Sequence, residues 1–285
     1  YIGAIFDEIR NKKDPTIVPI QPINTTFEQL PLPDKQNLPT QASAFVGRTA
    51  EVNAILDLFA DPNIRLITIL APGGMGKTRL SLEVAQQWVN MQVSTSTHPN
   101  FNGVYFVELA PLSNPENIVV AIAEAVGYSF VNDQRLPDQQ LFDYFHDKLL
   151  MLIMDNFEHV IDGAEFLVEL LKQTQQVLIL ATSRQRLALP GETIFPLSGI
   201  PLTEAIQLDD ATHDAAIKLF INSAKRVQPA FELTDAILPQ VMRICQLVDG
   251  MPLAIVLAAS WLGVLSPDEI VHEMENSLDF LEAEI

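Results

Sequence analysis

One octapeptide, Ala71-Pro72-Gly73-Gly74-Met75-Gly76-Lys77-Thr78, limits what this chain can fold into more than any other stretch. An apolar run, Ile64-Arg65-Leu66-Ile67-Thr68-Ile69-Leu70, precedes it, and an amphipathic run beginning at Arg79 follows. Buried strand, glycine-rich turn and helix, in that order, form the context of a phosphate-binding P-loop. Gly73, Gly74 and Gly76 are expected to adopt backbone conformations closed to other residues and to bring the main chain close to a ligand. Successive N–H groups would then form an anion nest, reinforced by the positive end of the helix. Lys77 would reach the β- and γ-phosphates, and the Thr78 hydroxyl would ligate Mg²⁺. The strict pattern opens on Gly where this chain has Ala71, at a strand end whose extended backbone suits Ala.

The 285 residues allow one large or two modest domains. Lys and Arg number 17 against 36 Asp and Glu, a net charge of −19. Such an acidic chain is a poor candidate for neutralising DNA phosphates, and a polyphosphate would have to bind at a local site such as the P-loop. A single cysteine, Cys245, excludes an internal disulfide and fits a reducing, cytoplasmic setting. No apolar run reaches the roughly 18 residues that span a bilayer, and no signal peptide is visible. The chain opens at Tyr1 without Met, as a piece of a longer protein would.

Residues 1–40 read as a short helix, on an Ile2, Ile5, Phe6 and Ile9 stripe, followed by a proline-rich linker. Residues 41–200 read as an α/β domain. Helices are expected at Ala50–Phe59, from the P-loop to about Val89, and at Pro115–Val126, Gln139–Leu149 and Gly163–Leu171. Strands are expected at Gly103–Leu109, Leu150–Met154, Val177–Leu180 and Glu192–Leu197, besides the one before the P-loop. Several are continuous apolar runs, as in a parallel five-stranded sheet flanked by helices. After about Pro201 the strand patterns stop. Helices are expected at His213–Val227, Ile237–Leu247, Pro252–Leu262 and Pro267–Met274, so 201–285 reads as a small all-α domain.

Three further stretches carry chemistry. Leu150–Met154 runs into Asp155, an apolar strand ending in a carboxylate that can hold Mg²⁺ where open α/β sheets bind ligands. As a bare pattern the same Asp is a helix N-cap. Asn156 stands where many ATP-hydrolysing P-loop proteins place a water-activating Glu. The nearest acids are Glu158 and Asp162, so hydrolysis is expected to be slow. Thr182-Ser183-Arg184 ends the next strand and offers a guanidinium to a developing phosphoryl charge. Gly250-Met251-Pro252-Leu253-Ala254 reads by itself as ordinary helix capping. Cys245 lies on an apolar stripe, and the five histidines have no metal-ligand spacing.

In order and spacing, Phe45-Val46-Gly47-Arg48, the P-loop, Asp155-Asn156-Phe157-Glu158-His159, Thr182-Ser183-Arg184 and Cys245–Ala254 resemble the signal-transduction ATPases with numerous domains (STAND). Within that class the similarity is to the NB-ARC-like branch of bacterial regulators, over about residues 40–275. The resemblance implies ADP or ATP, with Mg²⁺, clamped between an α/β domain and an ARC1-like helical domain. It implies that Val46, Gly47 and Arg48 lie against adenine and that Pro252 and Leu253 close over the nucleotide. The P-loop backbone of Gly73, Gly74, Met75 and Gly76, with Lys77 and Thr78, would bind phosphate, and Arg79 belongs to the nucleotide-binding set. Asp155, Arg184 and Glu158 would serve hydrolysis. Relatives continue into a winged-helix domain, whose histidine contacts ADP, and a repeat array; with the chain ending at Ile285, neither is expected here. The function implied is a switch, off with ADP and on with ATP, self-associating in the ATP state. The alternative is an AAA+-type remodelling ATPase with fast turnover.

Overall fold

A computed structural model describes residues 36–95, 101–203 and 208–276; the expected N-terminal helix and most of the proline-rich linker lie outside them. Residues Lys35–Ile285 form one compact unit. It opens with helix α1 (Thr49–Ala60) and strand β1 (Leu66–Leu70). The P-loop follows, then α2 (Lys77–Thr95) and β2 (Phe101–Glu108). A 3-10 turn at Pro115–Asn117 leads into α3 (Ile118–Ala125), and α4 (Pro137–Phe145) and β3 (Leu149–Asp155) come next. A second 3-10 stretch, Phe157–Gly163, precedes α5 (Glu165–Gln173), β4 (Val177–Ser183) and β5 (Glu192–Pro196). Only helices follow: α6 (Leu208–Ala211), α7 (Ala215–Val227), α8 (Leu238–Leu247), α9 (Pro252–Ser260) and α10 (Pro267–Asn276), with a 3-10 turn at Trp261–Gly263.

The five strands are all parallel, in the order β2-β3-β4-β1-β5. Successive side chains of a strand point to opposite faces, and the apolar runs feed two cores. Leu150, Leu152 and Met154 of β3 pack with α3, α4 and α5, whereas Met151 and Ile153 pack with Val52, Ile55, Leu80 and Val84 of α1 and α2. That two-sided burial is why β3 is apolar at every position before Asp155. A third core belongs to the helices after β5, with Phe220, Val241, Ile244, Ile255 and Ile270 fully buried.

The expected strands and helices are present, with shifted boundaries. Helix α4 ends at Phe145, not Leu149, because a turn (Lys148 N–H to the Phe145 carbonyl, 3.0 Å) hands Leu149 to β3. Pro115 starts a 3-10 turn capped by Asn114, whose side chain accepts from the Glu116 N–H, and the α-helix begins only at Ile118. The helix expected from Gly163 starts at Glu165. Parallel strands place their C-terminal ends along one edge, so the P-loop, Asp155 and Thr182–Arg184 all emerge there.

Candidate functional site

Leu70 ends β1, and the loop turns through two left-handed glycines, Gly74 (φ 77) and Gly76 (φ 83), before α2 begins at Lys77. Gly73 has no positive φ, so the expected conformational reason does not apply to it. Its neighbour is a mobile side chain: a Cβ there would lie 3.2 Å from a guanidinium nitrogen of Arg184, which is 66% exposed and can give by the few tenths of an ångström required. Lys77 is 7% exposed, and its ammonium donates to the carbonyls of Ala71 (2.8 Å) and Pro72 (3.0 Å). Burial is the main influence on this ammonium and lowers its pKa; the charge of Glu158 opposes the shift.

Asp155 is buried at the tip of β3. Its Oδ1 accepts from the Thr78 hydroxyl at 2.8 Å and from the Thr182 hydroxyl at 2.7 Å, and the Thr182 oxygen accepts the Asn156 N–H at 3.0 Å. Strand β4 lies between β1 and β3 in the sheet, so its Thr182 bridges the space between the P-loop strand and Asp155. Thr78 and Asp155 thus form a hard-oxygen pair. Magnesium held with substrate phosphates needs only one or two carboxylates, and the donor set fits it. Among the described residues no group of three or more His, Cys, Asp and Glu could hold a metal on its own. Arg184, 66% exposed, pairs through Nε with Glu158 Oε1 at 3.2 Å.

Next to the loop is a cavity of about 320 Å³. It is lined by Ser43, Ala44, Phe45, Val46 and Arg48 on one side and by Gly74, Gly76 and Arg79 on another. Ile200, Leu219, Pro252, Leu253 and Val256 complete it. A larger concavity of about 780 Å³ lies against α3, α4 and α5 and touches no P-loop residue; the smaller one adjoins the phosphate-type groups. Arg79 donates to the Gln41 side chain and, at 2.5 Å, to the Ser43 carbonyl, holding the first wall against α2. Gly47 (φ 71) packs where a Cβ would sit 2.6 Å from the Ala215 Cβ. Arg48, itself left-handed (φ 61), donates through one Nη to the Ser198 carbonyl at 2.8 Å. Its other Nη is buried with no protein partner, and burial holds the guanidinium below its ordinary pKa.

The helical wall is tied to the P-loop through the main chain. Pro252 opens α9, and the Leu253 N–H, free because it lies in the first helical turn, donates to the Gly74 carbonyl at 3.1 Å. Leu253 and Met251 side chains cover Gly74. Behind them the chain crosses itself. Ile200 N–H donates to the Gly250 carbonyl at 2.8 Å, and a Cβ on Gly199 would lie 1.9 Å from the Asp249 carbonyl oxygen.

The expected residues therefore fall into two adjoining groups. Val46, Arg48, Gly74, Gly76, Arg79, Pro252 and Leu253 line the cavity. Gly73, Lys77, Thr78, Asp155, Glu158 and Arg184 gather at the sheet edge. Met75 turns its side chain to the core beneath α2, leaving only its backbone to the loop. Sequence reasoning assigned no role to Thr182 as the partner of Asp155, to Ser198 as the partner of Arg48, or to Gly199. It also missed Asp214, a buried N-cap of α7 that accepts from the backbone N–H groups of Ala216, Ile217 and Thr203. Asp214 had a readable signal, an Asp just before an apolar-periodic run; the others depend on long-range contacts.

No family model matches the chain. It is 32% identical over 225 residues to a Mycobacterium tuberculosis protein named as an HTH-type transcriptional regulator, an overlap of 76% of this chain and 22% of that protein. The chain thus spans about a fifth of that relative's length. Among solved structures it is similar to Drosophila ORC bound to DNA, with a TM-score of 0.56 at 12% identity over 99% of this chain and 76% of that one. It is also similar to a Walker-type ATPase of Pyrococcus abyssi, with a TM-score of 0.50 at 12% identity over 87% of this chain and 77% of that one. The fold is that of a P-loop ATPase.

Proposed function

We propose that this chain is the adenine-nucleotide switch of a larger bacterial regulator, of the STAND type and NB-ARC-like in its motifs. In this reading residues 41–200 bind the nucleotide and residues 201–285 form a helical clamp. ADP holds the closed form, and exchange for ATP opens it and permits self-association. Hydrolysis is slow, because Asn156 carries no carboxylate. The observation that carries this reading is the hydrogen bond from the Leu253 N–H to the Gly74 carbonyl. A ligand held by the P-loop backbone touches the same turn that anchors the helical region, so occupancy and the arrangement of the two parts bias one another.

In the same proposal Gly73, Gly74, Met75 and Gly76 present backbone N–H groups to the phosphates, and Lys77 leaves the Ala71 and Pro72 carbonyls to meet the β- and γ-oxygens. Arg184 faces the γ-phosphate. Thr78 and Asp155 hold Mg²⁺, which when bound neutralises phosphate charge. Val46, Gly47, Arg48, Arg79, Pro252 and Leu253 surround the base and sugar. The setting is cytoplasmic. Among the described residues no helix is long and apolar enough to cross a membrane. The net charge of −19 argues against nucleic-acid binding by this chain itself.

Thermal unfolding with and without ADP, ATP or GTP plus Mg²⁺, together with release of co-purified nucleotide by denaturation, tests the proposal. Ligand at roughly 100 times its dissociation constant stabilises by about 2.7 kcal/mol, roughly 5–10 °C here. Co-purified ADP and stabilisation by adenine nucleotides alone support the switch. Weak shifts with rapid ATP turnover point instead to a remodelling ATPase.

A further inference from the structure

The position after Asp155 is a left-handed turn. Asn156 is left-handed, at φ 58 and ψ 49, a conformation that Asn tolerates better than most side-chain residues. It turns the chain sharply into the 3-10 stretch that begins at Phe157. That turn brings back Glu158, whose side chain is only 12% exposed. Both of its carboxylate oxygens meet one residue: Oε1 lies 3.2 Å from the Arg184 guanidinium Nε, and Oε2 accepts the backbone N–H of Arg184 at 3.3 Å. The same guanidinium lies over Gly73 of the P-loop. Glu158 is also the leading opposing charge on buried Lys77, whose ammonium donates to the Ala71 and Pro72 carbonyls at the same sheet edge.

We propose that Glu158 is the base for hydrolysis and that its pair with Arg184 is a latch opened by the γ-phosphate. This rests on the nucleotide reading above and adds a regulator to it. With no nucleotide or with ADP, the guanidinium stays on Glu158 and covers its Oε1, so that oxygen does not reach a water. A triphosphate presents a second anion to the same guanidinium. Arg184 transfers to it, and Glu158 is left beside the reacting centre. The water oxygen then forms a bond to the γ-phosphorus, and the bond from phosphorus to the bridging oxygen breaks with its electron pair staying on ADP. One water proton passes to Glu158 and from there to the released phosphate. The latch ties base activation to the presence of the third phosphate. Its two-step requirement gives slow turnover without a carboxylate at Asn156.

The test uses the whole chain as wild type, Glu158→Gln and Arg184→Ala. Affinities for ADP and for a non-hydrolysable ATP analogue, single-turnover hydrolysis and thermal unfolding are measured for each. Removal of a general base lowers hydrolysis about 100-fold or more. Glu158→Gln is therefore expected to lose hydrolysis, to leave ADP affinity unchanged, and to raise the ratio of triphosphate to ADP affinity several-fold, because the guanidinium is already free. Arg184→Ala is expected to lower that ratio about tenfold, the scale of a lost charge-assisted hydrogen bond. A pair that merely braces the turn would change the unfolding temperature and leave both ratios at the wild-type value; that result overturns the latch. Wild-type hydrolysis in Glu158→Gln overturns the base assignment. If wild-type protein binds neither ADP nor the analogue, the nucleotide reading fails and the latch with it. Normal nucleotide binding with unchanged ratios sinks the latch alone.

Discussion

The phosphate end of the site is assembled from one loop and the strand tips beside it, whereas the adjoining cavity is walled by residues as far apart in sequence as Ser43 and Val256. At the first end, local sequence does most of the work. Two left-handed glycines shape the loop, a helix starts at Lys77, and Asp155 ends a strand. At the second end nothing local suffices. Gly47 needs Ala215, Arg48 needs the Ser198 carbonyl, and Leu253 needs the Gly74 carbonyl. The difference teaches that the loop's shape is set locally, whereas the cavity beside it exists only once distant parts of the chain have met.

The comparison breaks if substitutions at the two ends act alike. The largest expected effect is on stability, at the chain crossing behind the cavity. A Cβ on Gly250, at φ 65, would lie 2.1 Å from the Ile200 carbonyl oxygen. Gly250→Ala is expected to destabilise by roughly 3–5 kcal/mol, lowering the unfolding temperature by about 6–15 °C. Lys77→Ala comes next and acts in the opposite way. It should weaken ADP binding about 100-fold in titration calorimetry. The unfolding temperature of the nucleotide-free chain should not fall, because the lost ammonium is buried and desolvated.

The other substitutions sharpen the contrast. Asp155→Ala should weaken ADP binding about tenfold with Mg²⁺ and much less in its absence; equal losses under both conditions would remove the metal role. Leu253→Ala should lower nucleotide affinity only about threefold, by thinning the cover over Gly74.

A pH dependence in the helical core stands outside that ranking. Burial pushes the Cys245 thiol from 9.0 up to about 12, with the Asp214 charge adding to the rise. Between those values the unfolded chain has released a proton that the folded chain keeps, so stability falls as pH rises through that window. Cys245→Ala should flatten this slope in denaturation measured from pH 9 to 11.

The same contrast governs how far the sequence could be read. The P-loop was legible because strand, glycine turn, lysine and helix are contiguous, and Asp155 because β3 is apolar on both faces up to it. Helix ends were less legible: Leu149 continues the apolar period of α4, yet pairs in the sheet opposite Phe101. The 3-10 stretch carrying Glu158 follows a left-handed Asn that no periodicity announces. Gly73 reads from sequence like Gly74 and Gly76, yet it alone of the three has no positive φ and lies beside the Arg184 guanidinium. Strand order, and with it the bridging place of Thr182, is a property of the folded sheet alone.

The crossing of residues 199–200 with 249–250 has a consequence for how the molecule comes apart. The helical region cannot close its Asp249–Gly250 turn in the native way until the segment leaving β5 lies against it, fifty residues away in the chain. Its last hydrogen bonds and those of the sheet edge are thus made and lost together. Denaturant titrations followed by helix signal and by fluorescence at Trp88, on the sheet side, and Trp261, on the helical side, should superimpose as a single cooperative transition.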